Sequence, residues 1–303
     1  MYQNYKLTTG FLFLIAFITQ TLNAQLSETA AWLADLNNKY RIVPDLVYST
    51  ASNYECKLDL YLPRVLSTPN TTVMFIHGGG WVGGTKEGAI LAALPYLEMG
   101  FSVVNVEYRL ARVALAPAAV EDCRLALRWI FTHAKEYSFD TTKVIVTGGS
   151  AGGHLALMTG MLHGNAGFDF PKEWEGQAVE PKVAAIINWY GIIDVNDLMA
   201  STVKPNYALY WMSSLPNRDE IAKRVSPLTY VRKGLPPILT IHGDKDQLVP
   251  YHQAVRLHEG LAKAGVPNEF LTIPGGNHGG FTREETIKIY ETIRGFLKKH
   301  HLF

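Results

Sequence analysis

Cysteine is almost missing from this chain: two in 303 residues, Cys56 and Cys123. A disulfide framework is therefore excluded as the basis of the fold, and the pair is not spaced as a zinc site. In an exported protein the two could still pair, but a strand position for Cys56 and a helix position for Cys123 favour two buried free thiols. Neither sign of charge dominates, with 28 Lys+Arg against 27 Asp+Glu and a net charge of +1. That balance gives no electrostatic footprint for nucleic acid or for an anionic membrane surface. The apolar run at the N-terminus, Phe11 to Ile18, is well short of the ~20 residues a membrane-spanning helix needs. Repeats and low-complexity linkers are also missing. What remains, 48% hydrophobic and 18% charged residues, is enough for one large α/β domain or two small ones.

The first residues, MYQNYKLTTGFLFLIAFITQTLNAQ, place Lys6 before that apolar run and small or polar residues after it. This order predicts a signal peptide over residues 1–24, cleaved after Ala24, and hence a secreted or periplasmic protein. No cysteine follows the run, so a lipid anchor there is not expected. The mature part, 25–303, opens with a helical stretch (28–36) and two segments that alternate like an antiparallel pair, VPDLVYS and CKLDLYLP. From there apolar runs alternate with helical patterns: TVMFIH, a helix near 90–98, SVVNVEY, a helix over 118–137, VIV at 144–146, VAAIINWY, PILTIHG, a helix over 251–264, EFLTIP and a helix over 284–299. Such alternation predicts an α/β class, with a mostly parallel sheet of about eight strands covered by helices on both faces. Functional groups should then gather at the carboxyl ends of the strands. One stretch, 194–234, breaks the rhythm. It is rich in aromatics (Tyr207, Tyr210, Trp211) and reads as an irregular lid or binding insert.

Ser150 lies in KVIVTGGSAGGHLAL, directly after a β-branched run and before a helical pattern. Gly148, Ser150 and Gly152 spell G-x-S-x-G. In a sharp strand-to-helix bend the serine is forced into a strained conformation, and side chains two residues to either side would collide. The bend lifts the hydroxyl clear of the sheet, and the N–H of Ala151 points into the same space. A simple helix-capping turn would also use serine and glycine, so the motif needs partners.

The partners are at other strand ends. IHGGGWVGG carries His77 and three glycines whose N–H groups can face a substrate oxygen together with that of Ala151. The same glycines, Gly78, Gly80 and Gly83, imitate a dinucleotide fingerprint. There, however, a helix must open at once, and Gly84, Thr85 and Gly88 delay it, while Trp81 puts a bulky ring in the turn. HGDKDQLVP offers Asp244 and Asp246, and GGNHGGF offers His278 between glycine pairs. Singly these are ordinary turn residues. Together they stand in the chain order serine, aspartate, histidine, each just past a strand.

With HGGGW (77–81), EYRLA (107–111), PAAVEDC (117–123), GGSAGGHLA (148–156), HGDKDQLVP (242–250) and GNHGGF (276–281), the chain resembles the α/β-hydrolase-fold carboxylesterases. The nearest branches are the hormone-sensitive-lipase-like and the bacterial feruloyl- and acetylxylan-esterase-like ones. The resemblance implies a catalytic Ser150–His278–Asp246 triad, with Asp244 left to shape its turn, and oxyanion donors at Gly79, Gly80 and Ala151. It implies no metal and no cofactor. Trp81, Tyr207, Tyr210 and Trp211 are candidate substrate contacts. The chain departs from the family pattern in RLARVALAPAA, which lacks the usual acidic or aromatic residues before Pro117. It also has no large cap segment before the HGGG strand, which points to a short pocket. The expected activity is hydrolysis of short-chain or aromatic esters, with polysaccharide-linked acetyl or feruloyl groups suggested by analogy. Two alternatives are a serine exopeptidase, which would call for a second gating domain, and a non-catalytic hydrolase-fold binding protein, which would typically have lost a triad member.

Overall fold

The computed structural model describes residues 27–163, 166–168, 173–174, 177–178, 181–201 and 205–303. The expected signal peptide and its cleavage point after Ala24 lie outside the described residues. Eight strands form the main sheet: β1 (Tyr40–Ala51), β2 (Tyr54–Pro63), β3 (Asn70–Ile76), β4 (Ser102–Val106), β5 (Phe139–Gly149), β6 (Ala185–Trp189), β7 (Ile238–Gly243) and β8 (Asn268–Ile273). Their order is β1-β2-β4-β3-β5-β6-β7-β8. β2 runs antiparallel to both neighbours, and β4 through β8 pair in parallel. The mostly parallel eight-stranded sheet and the leading antiparallel pair are those the sequence predicts.

The helices are α1 (Glu28–Lys39), α2 (Lys86–Glu98), α3 (Ala118–Thr132), α4 (Ala134–Tyr137), α5 (Ala151–Met161), α6 (Val195–Ala200), α7 (Asn206–Met212), α8 (Arg218–Arg224), α9 (His252–Lys263) and α10 (Arg283–Lys299). Alternation along the strands sends successive side chains to opposite faces. Met74, Ile76, Val104, Val146 and Ile186 pack against α3, α5 and α9 on one face. Val73, Phe75, Val103, Ile145 and Ile187 pack against α2 and α10 on the other. Burial on both faces is why these runs are continuously apolar. Cys56 and Cys123 are both buried and free. Burial pushes the Cys56 thiol up to about 12 and that of Cys123 well above its ordinary value.

Three local expectations are corrected. The single helix expected over 118–137 is broken at His133, whose ring stacks on Trp129 at 4.2 Å and whose Nδ1 lies 2.9 Å from the Trp129 carbonyl. α2 starts at Lys86, not near Ile90. Thr85 caps it by accepting from the Gly88 N–H, and the buried Lys86 ammonium pairs with Asp45, Asp59 and Glu87. The stretch 194–234 is not irregular: α6, α7, α8 and a 3₁₀ turn (Pro227–Tyr230) occupy most of it. Helices of six or seven residues have little stability of their own and depend on tertiary packing, so their periodicity is weak in sequence.

Candidate active site

Ser150 sits where β5 turns into α5, at φ 58° and ψ −123°. Such a backbone costs about 1–3 kcal/mol in an ordinary residue and persists only where the surroundings impose it. Here they do. The Ser150 N–H donates to the Trp189 carbonyl at 2.9 Å, and its carbonyl accepts from His154 at 2.9 Å. A Cβ on Gly148 would lie 2.4 Å from the Ile76 carbonyl oxygen, and one on Gly152 would lie 2.2 Å from the same atom. The tight bend therefore admits only glycine two residues to either side of the serine.

The loop after β8 delivers His278 and the loop after β7 delivers Asp246. His278 Nε2 is 2.8 Å from Ser150 Oγ, and its Nδ1 is 2.7 Å from Asp246 Oδ2. With Nδ1–H donating to the carboxylate, Nε2 presents its lone pair to the serine hydroxyl. The Asp246 side chain is fully buried. Burial alone would raise its carboxyl. Hydrogen bonds from His242, His278 and the Val249 N–H outweigh that and hold it well below the usual carboxylate range. Its other oxygen accepts from the Leu248 and Val249 N–H groups at 2.8 and 2.9 Å. Asp244 does more than shape its own turn: it accepts from the Gly275 N–H at 2.7 Å and so ties the aspartate loop to the histidine loop.

The HGGG loop follows β3 and lies against the elbow, where a Cβ on Gly78 would be 2.7 Å from the Gly149 carbonyl oxygen. Gly79, Gly80 and Trp81 have φ values of 116°, 60° and 62°. These are left-handed backbone conformations, which glycine adopts without steric cost. Ala151 is the first residue of α5, so its N–H has no acceptor within the helix. Gly79, Gly80 and Ser150 border one cavity of about 550 Å³, which Tyr190, Tyr207, Leu248 and His278 also line. The dinucleotide alternative has no footing here, because residues 78–83 form a turn and the following helix waits for Lys86.

Two of the predicted substrate contacts are structural. Trp81 and Trp211 are completely buried and stacked face to face at 4.1 Å and 13°. His154 sits edge-on to both. Its Nδ1 accepts from Trp81 Nε1 at 3.2 Å, and its Nε2–H donates to the Val225 carbonyl at 2.6 Å. The stack holds the left-handed Trp81 backbone and joins the HGGG loop to α7. Tyr210 is 57% exposed and does not line the cavity among the described residues. Tyr207 does line it, and its hydroxyl donates to the Leu248 carbonyl at 3.3 Å. Burial, then the charge of Asp246, push that phenol up to about 12. The EYRLA and PAAVEDC segments form a buried brace. Arg109 binds both carboxylate oxygens of Asp122, and Tyr108 stacks on His77 at 4.3 Å while its hydroxyl donates to the His77 carbonyl.

Two residues escape the sequence reading. His242 is buried, with Nε2 3.1 Å from Asp246 Oδ2 and 3.1 Å from the Val249 carbonyl. Its position four residues before Asp246, at a strand end, is the signal that could have found it. Tyr190 directly follows β6, at φ 40°, and meets the His278 ring edge-on at 4.7 Å. It too lies at the carboxyl end of a parallel strand.

The profile of the BD-FAE family matches residues 58–261. The chain belongs to the BD-FAE family. Among curated proteins it is similar to Esterase LipQ of Mycobacterium tuberculosis, 26% identical over 231 residues, which cover 73% of this chain and 53% of LipQ. The chain thus spans about half the length of the curated relatives it matches. Two solved structures share the fold. One is a truncated carbohydrate esterase from gut microbiota, with TM-score 0.73 and 26% identity over 87% of this chain and 98% of that one. The other is the propionate-bound esterase Est2 of the planctomycete Thermogutta terrifontis, with TM-score 0.73 and 26% identity over 88% and 96%. The α/β-hydrolase fold is therefore shared across these members and this chain.

Proposed function

We propose that this chain is an exported serine carboxylesterase that works through an acyl-enzyme on short-chain or aromatic esters, among them acetyl or feruloyl groups on polysaccharides. The observation that carries the reading is the hydrogen-bonded line Ser150–His278–Asp246, at 2.8 and 2.7 Å, beside the HGGG loop and the start of α5. As Ser150 Oγ bonds to the ester carbon, its proton passes to His278 Nε2. The carbonyl oxygen takes the negative charge and accepts from the N–H groups of Gly79, Gly80 and Ala151. Collapse breaks the bond to the alkoxy oxygen, which receives the proton from Nε2 and leaves as an alcohol. Water then gives a proton to His278, attacks the acyl carbon, and Ser150 is released with its proton restored. Asp246 fixes the imidazole orientation and balances the imidazolium that forms twice per cycle.

Support for the activity comes from LipQ, named an esterase, and from the carbohydrate esterase and Est2 folds. Support for short acyl groups comes from the Est2 structures with propionate and butyrate. Export rests on the N-terminal charge–apolar–small-residue order. The test is kcat/KM for aryl esters graded by acyl length, beside acetylated xylan and methyl ferulate. Turnover of short aryl esters is expected. A purified, folded protein that cleaves none of them would refute the reading.

A further inference from the structure

Next to the cavity above Ser150 lies a recess of about 120 Å³, walled by Phe75, Ala92, Gly149, Trp189, Tyr190 and Tyr290. Phe75, Ala92, Gly149 and Tyr190 line both spaces, so the two adjoin. Tyr290 of α10 forms the far wall. Its hydroxyl donates to the Ala92 carbonyl of α2 at 3.2 Å, and its ring lies 5.5 Å from Trp189. Tyr190 forms the partition towards the histidine. Its N–H donates to the Ile241 carbonyl at 2.7 Å. Its hydroxyl lies close to both Gly149 and Gly279, at 3.2 and 3.0 Å from where their Cβ atoms would stand. None of this machinery takes part in the proton transfers described above.

On the serine-esterase reading, we infer that this recess receives the acyl group of the ester and admits only a short aliphatic chain, leaving aromatic and sugar groups to the alcohol side. Three directions leave the reacting carbon. The oxygen must face Gly79, Gly80 and Ala151. The leaving oxygen must face His278 Nε2, on the side that opens past Tyr207 and the 46%-exposed Leu248. The acyl chain takes the third direction, and the recess behind Gly149 is the space there. Its lining is largely apolar, which suits methylenes. Its volume is below the ~150 Å³ of a cavity that holds benzene. A phenylpropenoyl acyl group does not fit it, whereas acetyl to butyryl does. Of the two acyl classes proposed above, the recess selects the small aliphatic one.

The experiment measures kcat/KM for two series: acetate, butyrate and hexanoate of one aryl alcohol, and acetates of alcohols graded by size. Wild type should fall off at hexanoate and tolerate large alcohols. Ala92→Leu places a bulkier side chain into the recess from a solvent-reached helical position, where leucine is a good helix former. It should lower the butyrate-to-acetate ratio by about tenfold or more, the range expected for one or two methylenes in a closed pocket, and change the acyl series more than the alcohol series. Tyr290→Ala should raise the hexanoate-to-acetate ratio. Should that variant fail to fold, Ala92→Leu alone decides. An alcohol series that shifts while the acyl series stays fixed would reassign the recess to the alcohol, and no shift in either series would remove it from the site. Wild-type protein that cleaves no ester in either series overturns the esterase reading itself, an outcome distinct from activity with an unmoved acyl profile.

Discussion

Acidification should weaken this protein through one buried side chain, His154, and the size of the loss follows from its contacts. Trp81 Nε1–H donates to His154 Nδ1, and the Val225 carbonyl accepts from Nε2–H. Only the neutral ring satisfies both. A second proton on Nδ1 would face the indole N–H. Burial, partly offset by the bond to Val225, pulls the imidazole down from 6.5 to about 4. The sign is then fixed: between those values the unfolded chain holds one more proton than the folded one, so stability rises with pH across the window and is lost as pH falls through it. At about 1.4 kcal/mol per pH unit, the loss between pH 7 and pH 4 is about 3 kcal/mol, a large share of the ~5–15 kcal/mol that holds a domain folded. Asp246 is held well below the carboxylate range, so it adds slope only towards pH 4, where the unfolded carboxyl begins to protonate, and it does so equally in a variant that keeps it. His77 and His258 are also lowered by burial, so the contrast has to be made against a variant. His154→Gln keeps an acceptor and a donor but does not titrate. Urea unfolding of both proteins at pH 7, 6, 5 and 4 should show wild type losing about 3 kcal/mol more than the variant. Equal losses would mean that His154 does not titrate differently on folding, and the buried Trp81–His154–Val225 arrangement would be wrong.

Other expectations concern the machinery around the serine. Asp246→Asn should cost kcat orders of magnitude by disordering His278, whereas Asp244→Asn loosens one loop tie worth about 1 kcal/mol; the reverse ranking of kcat would mean the wrong aspartate has been chosen. His242→Phe removes a hydrogen bond to a carboxylate, worth roughly 1.5–3 kcal/mol, and should lower kcat by about tenfold or more with KM little changed; an unaltered kcat would make His242 packing only. Trp211→Ala empties the stack under Trp81 and should destabilise by about 3–5 kcal/mol, read as a fall in the unfolding midpoint; a stability change under about 1 kcal/mol would contradict the burial seen here.

The reach of the sequence reading has a physical boundary. Ser150, Asp246, His278 and the HGGG loop were legible because each occupies a glycine-marked turn at the carboxyl end of an apolar run, where a parallel sheet collects its functional groups. The structure brings the three side chains into one hydrogen-bonded line. The roles of the aromatic residues were not legible. Trp81 and Trp211 have amphipathic side chains in loop-like segments, which suggests a binding surface, yet burial is decided by what α7 meets on returning to the HGGG loop. Tyr190 and His242 were missed for the converse reason. Each looks like the last residue of an ordinary strand, and only the approach of a neighbouring loop gives it a partner. The six- and seven-residue helices of 194–234 were hidden because packing, not local periodicity, makes them.

The central claim is that Ser150 becomes covalently acylated during turnover. Reaction with an aryl acetate, quenched during steady state and followed by peptide mapping, should place the acetyl group on Ser150. The Ser150→Ala variant should keep its fold and lose both the adduct and several orders of magnitude in kcat. An acetyl group mapped to another residue, or an Ala variant that retains about a tenth of wild-type kcat, would contradict the account.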